Sequence, residues 1–148
     1  MILVTTSRKP SRNTRIFARN LANLIPNALY AARGKASVDD IASLASSKGL
    51  AKIAIACDRK GNPGRIEFIS VSRTSWDWGE PLFIKSVSLT KNKKAFDAIK
   101  IDDKLSEILG VESDEEAELS AVWENEEITF AFNGDKLMII KVGGKQNG

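Results

Sequence analysis

Between Ile2 and Lys35 a β-prone run, a turn broken by proline and a two-faced helix follow in immediate succession. Ile2, Leu3 and Val4, then Thr5 and Thr6, suit a short buried strand. Pro10 cannot donate to a ladder, and Ser11 or Asn13 suits the cap of the helix that follows. From about Arg12 to Leu24, the residues Phe17, Leu21, Leu24 and Ile25 fall on one apolar stripe, with Arg12, Arg15 and Arg19 on the opposite face. Pro26 and Asn27 end the helix. A helix built this way must bury its apolar stripe against another element.

The same stretch carries Arg8, Lys9, Arg12, Arg15, Arg19, Arg33 and Lys35, and no Asp or Glu precedes Asp39. An exposed helical Arg face is often only a solvated face. Here, however, Arg8, Lys9 and Arg12 crowd a helix N-terminus, where the macrodipole is already positive, so an opposing charge is expected. Ser7, Ser11 and Thr14 hydroxyls and free backbone N–H groups complete what reads as an anion site, with phosphate the expected anion.

The run Thr5-Thr6-Ser7-Arg8-Lys9-Pro10-Ser11, then Thr14, Arg15, Phe17, Ala18, Arg19 and Leu21, with Arg33, Gly34 and Lys35 further on, resembles the signature of the Brix-domain family. The likeness is to the small archaeal, single-domain type. It implies a ribosome-biogenesis factor that binds ribosomal RNA. It also implies two similar halves, each like the anticodon-binding domain of class II aminoacyl-tRNA synthetases.

At 148 residues the chain suits one domain with a substantial core. The expected halves are about 1–80 and 81–148. No apolar run is long enough for a membrane span, and the start lacks the basic region and cleavage site of a signal peptide; the expected location is the cytoplasm. The lone Cys57 excludes an intrachain disulfide, and the absence of histidine removes His-based catalysis and His-ligated metals. No cofactor is implied. The net charge of +3 is modest, but residues 1–38 hold 7 basic and 0 acidic residues, whereas 105–148 hold 3 and 10. That asymmetry suggests one face for a polyanion and another that repels it or meets something basic.

Leu29 to Ala32 reads as a second strand, and Gly34 as a sharp turn between two cations. Ser37 caps a helix with Asp39 and Asp40 in its first turn, a dipole effect rather than a metal site, and Gly49 closes it. Ala51 to Cys57 reads as a strand with Ile53, Ile55 and Cys57 on one face and small Ala54 and Ala56 on the other; Cys57 reads as a buried hydrophobe. Residues 58–65 read as a turn joining a strand from Ile66 to Arg73, with Arg59, Lys60 and Arg65 as secondary phosphate contacts. Trp76 to Pro81 reads as a loop bordering the halves, its tryptophans covering core or, alternatively, stacking on bases. Leu82 to Leu89 alternates as a strand. Lys91, Lys93, Lys94 and Lys100 surround Phe96 and Ile99 in a short helix or a basic connector. A helix starting at Asp102 or Asp103 ends at Gly110, an acidic turn spans Glu112 to Glu118, and three strands follow with tight turns at Asn125-Glu126 and Asn133-Gly134. Residues 143–148 should fray. The order, β-α-β-α-β-β and then β-α-α-β-β-β, implies an α/β (α+β) fold: a mixed sheet with packed helices.

Three functions fit these features. The first is a non-enzymatic factor gripping ribosomal RNA or its precursor through Arg8, Lys9, Arg12 and Arg15, flanked by Arg19, Arg33 and Lys35, alongside other assembly proteins. The second is a protein-interaction module using the acidic side. The third is an enzyme on a phosphorylated substrate, for which no base or nucleophile presents itself.

Overall fold

The computed structural model describes residues 1–143. The chain runs β1 (Ile2–Thr6), α1 (Arg12–Leu24), β2 (Leu29–Tyr30), α2 (Val38–Ser47), β3 (Lys52–Arg59), β4 (Asn62–Val71), β5 (Trp76–Trp78), β6 (Leu82–Leu89), β7 (Lys100–Ile101), α3 (Asp103–Leu109), β8 (Leu119–Glu124), β9 (Glu127–Phe132) and β10 (Asp135–Val142). The strands form one mixed sheet in the order β2-β1-β3-β4-β6-β10-β9-β8-β7, with β5 on β4 to one side. β1 lies parallel to both β2 and β3, and β7 parallel to β8; the other pairs are antiparallel.

The strand faces decide the layers. On β3, Ala54 and Ala56 face α1, and their small side chains let that helix sit close over β1 and β3. Ile53, Ile55 and Cys57 face α2 on the other side, with Leu3 and Ile69. The α1 side continues without a break into the second half, where Ile128, Phe130, Met138 and Ile140 join Phe17, Leu21 and α3's Leu105 in one apolar core. The halves meet along β4 and β6 through only two residue pairs, Arg65 with Phe83 and Ile66 with Leu82. Two cations from the first half tie α3 in place. The Met1 ammonium donates to the Gly110 carbonyl at 3.1 Å, and Lys52 donates to the Glu107 carbonyl. Both lie at the helix C-terminus, where positive charge is favourable.

Several expectations change. Trp76 to Trp78 is a strand, because β4 offers its edge and the two tryptophans alternate as strand residues do. The 58–65 turn shrinks to Lys60 and Gly61, both at positive φ (49° and 81°), and the strands extend to Arg59 and Asn62 around a bulge at Cys57/Asp58. β2 is two residues long rather than four. β7 is a strand not foreseen. Of the two expectations for residues 91–99, a short helix or a connector, the connector forms, so among the described residues the second half has one helix, α3. Most of the segment expected to fray, from 144 onward, lies outside the described residues, while Gly143 itself donates to the Phe83 carbonyl at 3.0 Å.

Candidate nucleic-acid interface

The helix α1 starts where its sequence says it should: Ser11 accepts from the Thr14 N–H at 3.2 Å and caps it. Its expected anion site is already filled. The Asp58 carboxylate, brought round by the β3–β4 hairpin, accepts the Ser11 N–H at 2.7 Å, lies 2.9 Å from the Ser11 hydroxyl and takes a hydrogen bond from the Thr14 hydroxyl. Partial burial alone would push this carboxyl up, but the bonds from Thr14 and Ser11 outweigh it and hold it below its ordinary value. The charge that Arg8, Lys9 and Arg12 require at the helix head is therefore internal. The hairpin tip is fastened there as well, with the Ser11 hydroxyl 3.0 Å from the Gly61 carbonyl and Asn13 donating to Asn62.

The cations themselves divide into two kinds. Arg8, Lys9, Arg12, Arg15, Arg19 and Lys35 are exposed. The ion pairs among the described residues are Arg65–Glu67, Lys85–Glu126 and Lys100–Glu115, so none involves this set. Arg12, Arg15 and Arg19 follow one another along the solvent face of α1 at helical spacing. Arg19 also lies over the Tyr30 ring, 5.4 Å from its centroid. Lys9 holds φ at 51°, in the left-handed region rare outside glycine, immediately before Pro10. Arg33 differs: it is 9% exposed, and its guanidinium donates to the Ala36 and Thr6 carbonyls at 2.7 and 3.1 Å. Burial, with the nearby Arg8 charge, lowers its pKa. The expectation that Arg33 stands beside Lys35 as a second free cation is corrected: the turn at Gly34, φ 55°, presents Lys35 and folds Arg33 inward as a brace.

Of the secondary cations, Arg59 and Lys60 are exposed on the hairpin tip, while Arg65 is paired with Glu67 at 2.9 Å. Trp76 packs against the α2-side core and donates to Asp39, whereas Trp78 is 54% exposed. Cys57 is buried, and burial pushes its thiol up to about 11, which leaves it protonated at neutral pH. Among the described residues no group of three or more His, Cys, Asp or Glu gathers to hold a metal, and no helix is long and apolar enough to cross a membrane.

The mixed sheet with its packed helices is shared with solved archaeal structures. A probable ribosomal biogenesis protein from Aeropyrum pernix K1 superposes with a TM-score of 0.81 at 25% identity, over 99% of this chain and 97% of that one. Mil, an archaeal Imp4-like protein, gives 0.72 at 26% identity over 95% of each. In sequence, a "Probable Brix domain-containing ribosomal biogenesis protein" of Methanothermobacter thermautotrophicus is 32% identical over 126 residues, 81% of this chain and 77% of its own. The chain belongs to the Brix-domain family. The match to the relative of the same name in Thermococcus kodakarensis, 35% identical over 91 residues, spans 44% of that relative's length. No protein-family model matches the chain.

Proposed function

We propose that this chain is a non-enzymatic, cytoplasmic factor in ribosome biogenesis, a single domain of two halves that holds ribosomal RNA or its precursor against the side of α1. The observation that carries this reading is the row of exposed, unpaired cations at Arg12, Arg15 and Arg19, continuous with Arg8, Lys9 and Lys35. The role in ribosome biogenesis is supported by the names its relatives bear. With Asp58 seated at the head of α1, phosphates meet side chains rather than the helix end. The exposed guanidiniums suit that task, forking onto phosphate oxygens and stacking on unpaired bases.

Each phosphate neutralised on a single strand contributes roughly −0.7 to the slope of log K against log salt. About four contacts give a slope near −3 for ribosomal RNA fragments. The double variant Arg8→Ala, Arg12→Ala should keep its melting temperature and make the slope shallower by about 1.4. A slope near zero, or one indifferent to the double variant, overturns the reading. A second reading, a contact with a basic protein partner, rests on exposed Glu112, Asp114, Glu115 and Glu116, which line a cleft of about 750 Å³. RNA-free, Arg8-independent binding to such a partner would favour it.

A further inference from the structure

The connector between β6 and β7 is pinned along α1 by that helix's own polar residues. Asn20 Oδ1 accepts the Asn92 N–H at 2.7 Å, Asn23 Nδ2 donates to the Asn92 carbonyl at 2.8 Å, and the Phe96 N–H donates to the Asn23 carbonyl at 3.3 Å. Asn92 closes a tight turn on itself, its side chain bonding the Lys94 carbonyl and N–H. Lys94 is the anchor, with its ammonium 5.7 and 5.5 Å from the centroids of Phe96 and Phe132. Lys91 and Lys93 flank the pinned residue, are exposed, and take part in no ion pair among the described residues.

The helix geometry joins this segment to the arginine row. Asn23 is one turn beyond Arg19 on the same face, as Arg19 is one turn beyond Arg15. The row of cations therefore ends on the residue that holds Asn92, and Lys91 and Lys93 stand where it would otherwise stop. Past that point the sign of the charge reverses. Pro26 and Asn27, just after α1, line the cleft that also contains Asp97, Glu112 and Asp114. A polyanion following the arginines is repelled from the helix end and drawn sideways onto the connector.

We propose that Lys91 and Lys93 form a second phosphate-binding segment, held in line with Arg12, Arg15 and Arg19 by Asn20 and Asn23, so that one RNA single strand crosses from the first half of the chain to the second. This extends the RNA-binding reading above and rests on it. A strand reaching both segments must be longer than one covering α1 alone, whose 13 residues span about 20 Å.

The test uses the full chain with unstructured oligoribonucleotides of about 5 and about 15 nucleotides, the range over which single-strand sites run. Lys91→Gln with Lys93→Gln should make the salt slope for the long strand shallower by about 1.4 and leave the short strand unchanged. Asn23→Ala, which removes no charge, should shift the long-strand slope in the same direction. If the lysine variant leaves long-strand binding unaltered while Arg8→Ala with Arg12→Ala weakens it, the connector proposal is overturned and RNA binding by α1 stands. If neither variant matters, both fall. If only Asn23→Ala is silent, the pinning by asparagine is overturned.

Discussion

The two halves of the sheet are paired and finished differently: β1 runs parallel to its neighbours, whereas β8, β9 and β10 form an antiparallel meander. In the first, α1 covers one face and α2 the other, and β3 is buried for five consecutive residues. In the second, among the described residues, the seven-residue α3 is the only helix of its own to pack on the strands, on the face shared with α1. Val122, Thr129 and Ile139 line up across β8, β9 and β10 on the opposite face, where among the described residues no helix is packed. The charge differs in parallel: no acid precedes Asp39 in the first half, whereas acids crowd the α3–β8 turn of the second. The contrast shows that the first half is braced on both sides where it carries the basic helix, while the second is a thinner layer that completes the core beneath it.

The contrast predicts unequal costs of truncation. Ile55→Ala, beneath α2, should lose about 2–5 kcal/mol in denaturant unfolding, whereas Ile139→Ala on the open face should lose less than about 1 kcal/mol. Equal losses would mean that something covers the second half's outer face. A smaller contrast divides the cations. Arg33→Met gives up two charged hydrogen bonds and should lose roughly 1.5–3 kcal/mol, while Arg12→Met should leave stability unchanged and weaken only RNA binding. Asp58→Ala removes the lock between α1 and the hairpin and should cost roughly 1–2 kcal/mol at neutral pH. Because the folded pKa of Asp58 lies below its ordinary 3.8, its contribution is present above that value and disappears as the pH falls through the lower folded one. The variant should therefore show a flatter acid limb in a stability–pH profile. At Gly34 no atom lies within 4 Å of an added Cβ, so Gly34→Ala should cost only the left-handed strain, about 1–2 kcal/mol. A larger loss would show that the turn does more than brace Arg33.

What could be read from the chain was what its own neighbours decide. The limits of α1, its cap at Ser11 or Asn13, the Ser37 cap and the turns at Asn125-Glu126 and Asn133-Gly134 all depend on residues within four positions. The Ala54/Ala56 face of β3 was legible for the same reason, since strand periodicity needs no partner to be seen. What escaped was long-range. Asp58 reaches Ser11 across 47 residues and Asn92 reaches Asn20 across 72, and no local pattern announces either. β5 and β7 are three and two residues long, and exist only because a neighbouring strand offers an edge. Phe96 and Ile99, spaced as on a helix, lie in a connector whose backbone is instead bonded to α1. Arg33 looked like its neighbours because nothing in its type says which way the Gly34 turn will throw it.

The two-pair contact between β4 and β6 has a mechanical consequence. A long ladder fixes the angle between neighbouring strands; two pairs fix it weakly, and the apolar filling beneath must set it instead. The halves are glued at this line rather than sewn. Ile66 and Ile84, both 2% exposed in the shared core, therefore act as shims. Changing their bulk would tilt one half against the other without touching a single charge.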